Sequence, residues 1–231
     1  MAKLLAEKNK LENSRLLYLI LSGLFISALV TCNLIANKFV TVDLGFKTFV
    51  VSAGVLPYPL TFLITDILSE IYGRKRTNNV VLAGLIASIL VLFILYLGSV
   101  FPAIDDSPVA NETYNSVFQN SSRIIFASML AYTVAQFVDV HVFHFLKKLT
   151  GGKKLWIRNN FSTIFSQLLD TILVTTVIFI GLKDFTFIGG LIWDGWLFKF
   201  LFAAVDTLFI YLIVYGIRSY FQLKPNEELS I

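Results

Sequence analysis

Acidic and amide side chains stand at helical spacing inside stretches that are otherwise Leu, Ile, Val and Phe. Asp66 and Glu70 are four residues apart and so share one helical face. Gln136 and Asp139 are echoed by Gln167 and Asp170, the same Gln-x-x-Asp spacing twice. Asn33, Lys199 and Asp206 are further polar positions in apolar runs. An ionisable group at the centre of a bilayer costs about 2.5–3.5 kcal/mol on insertion scales and usually faces the interior of a bundle. An amide can serve as interhelical glue, at about 0.6 kcal/mol per contact. A carboxylate is harder to explain that way, because it must be protonated, paired or hydrated. Two Gln-x-x-Asp faces turned toward each other would form a polar pocket in an apolar bundle. Asp66 lies eight residues before Arg74, about 12 Å along a helix and so near mid-depth. Glu70 either joins the pocket or pairs with arginines at the inner edge. Asp139-x-His141-x-x-His144 has residue types that bind metal, but no Cys or further His completes a shell, so no metal is expected. An interfacial histidine or a proton relay is the alternative. No GxSxG, HExxH or paired-Asp catalytic motif stands in the spans, and neither an enzyme nor a cofactor is expected. Asp66 with Asp139 or Asp170 could still imitate an aspartyl dyad. No filter-like segment or ring of charge suggests a channel.

The elements that position these residues follow from composition. The 231 residues are 56% hydrophobic and 15% charged, where a soluble domain carries roughly 25% charge. Such a chain cannot cover itself with polar surface, so lipid must be its solvent. At about 20 apolar residues per crossing, the length allows six spans and no second, soluble domain. The expectation is an all-α, polytopic six-transmembrane-helix bundle forming a single domain over residues 1–231. Its helices are expected near 16–37, 56–73, 79–101, 122–148, 158–182 and 195–221. The apolar run after Lys3, Lys8, Lys10 and Arg15 is too long for a signal-peptide core and reads as a retained first helix. Residues 41–55 are broken by Gly45 and Gly54 and followed by Pro57-Tyr58-Pro59. They read as a short extended or re-entrant piece before a second helix that starts at one of the prolines. The single Cys32 excludes an internal disulfide.

Basic residues assign the sides. Lys3, Lys8, Lys10, Arg15, Arg74, Lys75, Arg76, Lys147, Lys148, Lys153, Lys154, Arg158, Arg218 and Lys224 fall on one side. Only Lys38, Lys47, Arg123, Lys183 and Lys199 fall on the other, among Asp43, Asp105, Asp106, Glu112, Asp184 and Asp194. Both termini are therefore expected in the cytoplasm. The net charge of +4 is scattered over loops and gives no nucleic-acid signal. Asn111-Glu112-Thr113 and Asn120-Ser121-Ser122 are sequons on the expected outer loop. Trp156, Trp193 and Trp196 read as interfacial belt residues.

Several stretches resemble the VUT (YhhQ-type) family of queuosine-precursor transporters. They are Pro57 to Gly73 (PYPLTFLITDILSEIYG), Ala127 to Phe143 (ASMLAYTVAQFVDVHVF) and Ser162 to Thr171 (STIFSQLLDT). A weaker likeness runs from Lys199 to Gly216, and another covers Asn33 to Lys38. The resemblance implies a six-helix protein of the inner membrane that imports 7-cyano-7-deazaguanine, its aminomethyl relative or queuine. Glu70 stands where some members carry Arg. A deazaguanine presents a ring N–H and an exocyclic amine, which a carboxylate such as Asp66, Asp139 or Asp170 can accept together. Gln136, Gln167 or Asn33 could read the carbonyl and pyrrole positions. Tyr58 and Phe62 are candidates to clamp the flat ring. Glu70 and Asp206 complete the candidate substrate-binding set. The expected partners are a small 7-deazapurine and the lipid bilayer, with room for a homodimer. The expected mechanism is that of a solo carrier, binding near mid-membrane between the second, fourth, fifth and sixth helices with alternating access. The alternative is the substrate-binding S subunit of an ECF-type ATP-driven vitamin importer, for which Gly23 and Ser27 supply a small-residue patch.

Overall fold

The structure, a computed structural model, describes residues 2–36, 38–118, 122–181, 184–224 and 227–230. The sequon at Asn120-Ser121 and the expected outer Lys183 lie outside the described residues. Seven helices form: α1 (Ala2–Leu34), α2 (Tyr58–Tyr72), α3 (Arg74–Val100), α4 (Asn111–Phe118), α5 (Ser122–Leu149), α6 (Leu155–Phe179) and α7 (Phe185–Phe221). Before α2 stand two strands, β1 (Phe39–Asp43) and β2 (Thr48–Ser52), and a 3-10 turn at Ala53–Val55.

Five segments are long and apolar enough to cross a membrane: Asn9–Leu34, Ala53–Tyr72, Arg74–Val100, Met129–Leu149 and Phe185–Phe221. They differ in what surrounds them. The Ala53–Tyr72 segment is 67% buried, against 28% for the first and 17% for the last. So α2 is the central element, and α1, α3 and α7 turn Leu, Ile and Phe outward to lipid. Thirteen of the fifteen α2 residues are buried, and α1, α3, α5 and α7 all pack on it. The α6 helix bridges α5 and α7. It has the length of a span, but Arg158, Asn159, Asn160, Gln167 and Asp170 dilute its apolar character.

Helix ends differ from expectation for identifiable reasons. α1 begins well before residue 16, because Leu, Ala, Glu and Lys before the apolar run are good helix formers. α7 begins at Phe185 rather than 195 and runs 37 residues, through Gly189 and Gly190. Arg74, Lys75 and Arg76, expected in a loop, form the first turn of α3. Cations there oppose the helix dipole by about 0.3–1 kcal/mol each; Arg76 offsets this by donating to the Leu229 carbonyl. The α2–α3 break is one residue, Gly73, at φ +82°. The short α4 packs on α3 through the Tyr114 hydroxyl, which donates to the Leu95 carbonyl at 3.0 Å.

Residues 39–52 form an antiparallel hairpin with Phe39 opposite Ser52 and Asp43 opposite Thr48. The Asp43 carboxylate accepts from the Gly45 N–H at 2.9 Å and closes the turn, where Gly45 has φ +82°. The ladder satisfies most backbone groups of an irregular stretch between two apolar helices. Phe49 and Val51 alternate inward and pack on Phe198 of α7, with Lys47 paired to Asp194. Leu229, in the C-terminal tail, is buried against α2, and its N–H donates to the Ile71 carbonyl at 2.7 Å.

The 3-10 turn lies tight on α1: a Cβ on Gly54 would stand 2.2 Å from the Cys32 carbonyl oxygen. Gly54→Val should therefore push the hairpin away from α1, a strain of about 1–3 kcal/mol. The expected outcome is a lower thermal midpoint for the detergent-solubilised protein, and an unchanged midpoint would refute this tight contact.

Candidate substrate-binding site

The α2 helix carries Tyr58, Phe62, Asp66 and Glu70 at intervals of four, one stripe along one face. α6 runs antiparallel beside it. Glu70 meets Arg158 at the start of α6, at 3.2 Å. One turn further along both helices, the Thr163 hydroxyl donates to Asp66 Oδ2 at 3.4 Å. At the far end, Lys199 of α7 ties the two together: its ammonium pairs with Asp170 Oδ2 at 2.7 Å and stands 4.4 Å from the centre of the Tyr58 ring. The result is a buried polar column with three chemically different levels.

At the first level Glu70 is surrounded by three cations. Arg158 lies at 3.2 Å, Lys147 of α5 at 3.5 Å and Arg218 of α7 at 2.8 Å. The Arg158 side chain is 1% exposed and also stacks over the Phe143 ring at 5.4 Å. Glu70 thus joins α2, α5, α6 and α7 at their basic end.

The middle level has no such cations. Asp66 and Asp139 are both buried, within electrostatic range of each other. Each is otherwise held by one hydroxyl from α6: Thr163 on Asp66, and Ser166 on Asp139 Oδ1 at 3.0 Å. Among the described residues, Asp66 Oδ1, Asp139 Oδ2 and Gln167 Oε1 have no hydrogen-bond donor. Gln136 is engaged at both ends of its amide: Oε1 accepts from Thr65 at 3.1 Å and Nε2 donates to the Tyr132 hydroxyl.

The third level is the Asp170–Lys199 pair, where Lys199 also donates to the Thr171 hydroxyl at 3.1 Å. Asp170 Oδ1 remains without a donor. Tyr58, Phe62 and Tyr132 form an aromatic trio against this level, with ring centres 4.9–5.7 Å apart.

Of the sequence-predicted residues, Tyr58, Phe62, Asp66, Gln136, Asp139, Gln167 and Asp170 are all buried in the bundle. The two Gln-x-x-Asp faces do not simply meet. Asp139 turns to α2 and the α6 hydroxyls, while Asp170 turns to α7. Asn33 is elsewhere. Its amide donates to the Leu29 carbonyl at 3.0 Å, and it lines a small apolar gap with Val30, Ser88 and Met129. Asp206 is partly exposed on α7, within electrostatic range of Asp66. Lys199, a polar position in an apolar run, is 6% exposed inside the bundle, where Asp170 supplies its counter-charge. His141 is exposed and its ring bonds back to the Phe137 carbonyl of its own helix. Asp66, Glu70, Asp139 and Asp170 are 0–3% exposed, and two cavities lie away from them, one beside Asn33 and one lined by Asn13, Leu17, Gly216 and Tyr220. The acidic groups are thus packed together in a closed arrangement. The sequence reading missed Tyr132, Thr163 and Ser166. Their signal was present: Tyr132 is four before Gln136, and Ser166 is four before Asp170.

Long apolar helices around a buried polar column make this a multi-pass membrane protein. The chain belongs to the family described as "Putative vitamin uptake transporter", whose profile matches residues 52–213, so it is a membrane transporter of the VUT family. A Bacillus subtilis (strain 168) protein named "Probable queuosine precursor transporter" is 29% identical over 213 residues, 90% of this chain and 87% of its own. The Escherichia coli (strain K12) "Queuosine precursor transporter" is 26% identical over 201 residues, 84% of this chain and 85% of its own. No solved structure matches the chain.

Removing the acid from the first level would leave three cations facing one another in a mostly buried cluster. Glu70→Gln should cost about 3–5 kcal/mol, read as a fall in the thermal midpoint of the solubilised protein. A midpoint equal to that of the unaltered protein would mean that water, not Glu70, balances these cations.

Proposed function

We propose that this protein imports queuosine precursors, 7-cyano-7-deazaguanine and its relatives, across the cytoplasmic membrane. In this reading α6 is the sixth crossing, and both termini face the cytoplasm beside the Glu70 cluster. The observation that carries the reading is the set of buried acceptors without donors: Asp66 Oδ1, Asp139 Oδ2, Gln167 Oε1 and Asp170 Oδ1. A buried acceptor without a donor is costly, and such groups are explained when a ligand supplies the missing N–H. A deazaguanine carries a ring N–H and an exocyclic amine side by side, and one carboxylate accepts both. The Tyr58–Phe62–Tyr132 trio offers apolar faces beside these acceptors for a flat heterocycle. The names of the relatives point to the same substrate class. The column is closed, so substrate entry requires the helices to separate on one side at a time, as in alternating access. The subunit of an ATP-driven vitamin importer, the alternative from sequence, finds no support among these relatives.

Asp66→Asn, Asp139→Asn and Asp170→Asn should each abolish uptake of 7-cyano-7-deazaguanine while the protein remains in the membrane. Each change puts an amide donor where the ligand's donors must go. The measurement is accumulation of labelled substrate in cells that cannot make queuosine precursors and carry this protein alone. Full activity in all three variants would remove the site assignment.

A further inference from the structure

The ion pair at the third level sets a spare donor and a spare acceptor side by side. Lys199 on α7 and Asp170 on α6 are 6% and 2% exposed. Among the described residues, the Lys199 ammonium donates to Asp170 Oδ2 at 2.7 Å and to the Thr171 hydroxyl at 3.1 Å. An ammonium has three hydrogens, so one remains. Its further neighbour is the Tyr58 ring, whose centre is 4.4 Å away. A ring face attracts the charge but leaves that N–H without an oxygen or nitrogen acceptor. On the acid, Lys199 holds Oδ2, while Oδ1 has no donor. A buried ion pair offsets its desolvation only when its remaining lone pairs and protons are also satisfied. Here one of each is left over. The column's other cations, Lys147, Arg158 and Arg218, surround Glu70. Glu70 is twelve residues from Tyr58 along α2, about 18 Å away. The amides of Gln136 and Asn33, which by type could read a carbonyl, are engaged with the Tyr132 hydroxyl and the Leu29 carbonyl.

We propose that Lys199 is a specificity-determining residue: its third N–H binds the substrate's ring carbonyl, while Asp170 Oδ1 accepts the adjacent ring N–H. The inference rests on the deazaguanine reading above and deepens it. The recognised edge of such a base runs amine, ring N–H, carbonyl: two donors and then an acceptor. The unpartnered acceptors of the column match the donors, but a carboxylate repels a carbonyl oxygen. Lys199 supplies the donor that the acids cannot. The exocyclic amine then meets Gln167 Oε1, also without a donor and three residues before Asp170 on the same face of α6. Gln167, Asp170 and Lys199 thus read amine, ring N–H and carbonyl in order. A base with an amine in place of the carbonyl turns a donor toward the ammonium and a bare ring nitrogen toward the carboxylate. It is repelled at both positions, so the pair separates guanine-type from adenine-type deazapurines. Because Lys199 stays bonded to Asp170 and Thr171, binding exchanges only the ring face for the carbonyl oxygen.

The test is titration calorimetry on the solubilised full chain with two ligands. One is 7-cyano-7-deazaguanine; the other is its thiocarbonyl analogue, in which sulfur replaces the carbonyl oxygen and both N–H donors remain. Sulfur accepts hydrogen bonds weakly, so the unaltered protein should bind the carbonyl form about tenfold more tightly. In Lys199→Met that preference should vanish, because the carbonyl form loses more affinity than the analogue. Comparing the two losses in a cycle separates carbonyl recognition from general damage to the site. Lys199→Arg keeps a counter-charge for Asp170, but its fork takes both carboxylate oxygens. It should weaken the carbonyl form about tenfold while the thermal midpoint holds. Equal affinity of the unaltered protein for the two ligands overturns the proposal. So do equal losses in Lys199→Met, which would make Lys199 a counter-charge alone, and so does full affinity in Lys199→Arg. If the methionine variant does not fold, the unaltered protein and the arginine variant decide. These outcomes leave the deazaguanine reading standing. Absence of saturable binding of either ligand by the unaltered protein defeats both readings together.

Discussion

Hydrocarbon cannot solvate a carboxylate, and four carboxylates of this chain, Glu70, Asp66, Asp139 and Asp170, are buried inside its bundle. Each must be answered by another part of the chain. That demand explains why α2 is central. A helix whose stripe reads Tyr58, Phe62, Asp66, Glu70 cannot face lipid on that side. The remainder of the helix is apolar enough to pack against α1 and α3. The peripheral helices can afford Leu, Ile and Phe on their outer faces only because α2, α5 and α6 absorb the polar residues. The surface of the molecule is therefore set by its interior.

The three levels of the column are answered in three ways, and the difference is one of bond strength. Glu70 has more cationic partners than it can neutralise, and Asp170 has one. Ion pairs of this kind hold helices in register and are costly to split singly. Among the described residues, Asp66 and Asp139 are held by hydroxyls rather than cations. Hydroxyl bonds are individually worth about 0.5–1.5 kcal/mol and exchange readily for bonds to a ligand. The rigid contacts thus sit at the ends of the column and the exchangeable ones at its middle.

Much of this was legible in the sequence because helical spacing projects directly into space. The i, i+4 relation of Asp66 and Glu70 placed them on one face, and Gln136 with Asp139 pointed inward as the spacing required. What the sequence could not express was which helix each face would meet. Asp139 and Asp170 occupy equivalent positions in two similar motifs, yet one turns to α2 and the other to α7, because Lys199 supplies a counter-charge only to the second. Lys199 stood out as a polar position in an apolar run, but its partner, Asp170, could not be named from spacing. Asn33 stands apart from the column. Its amide is consumed by its own helix, a short-range bond that competes with any long-range role. The hairpin at 39–52 was obscured because alternation over five residues is weak evidence beside two flanking helices.

The α6 helix is where these constraints converge. Arg158, Thr163, Ser166 and Asp170 span about 18 Å along it. In turn they contact α2, α2 again, α5 and α7. A helix that bonds three neighbours at successive heights cannot shift as a rigid body without breaking at least one level. Tilting about its middle breaks one end and spares the other. The middle bonds are the weakest and the most tolerant of small displacement, so they can persist through such a tilt. The same polar residues that make α6 inconspicuous by composition bind it to three neighbouring helices at once. Its polar residues reduce its apolar signal because Arg158, Asn160, Thr163, Ser166 and Asp170 bond neighbouring helices rather than facing lipid.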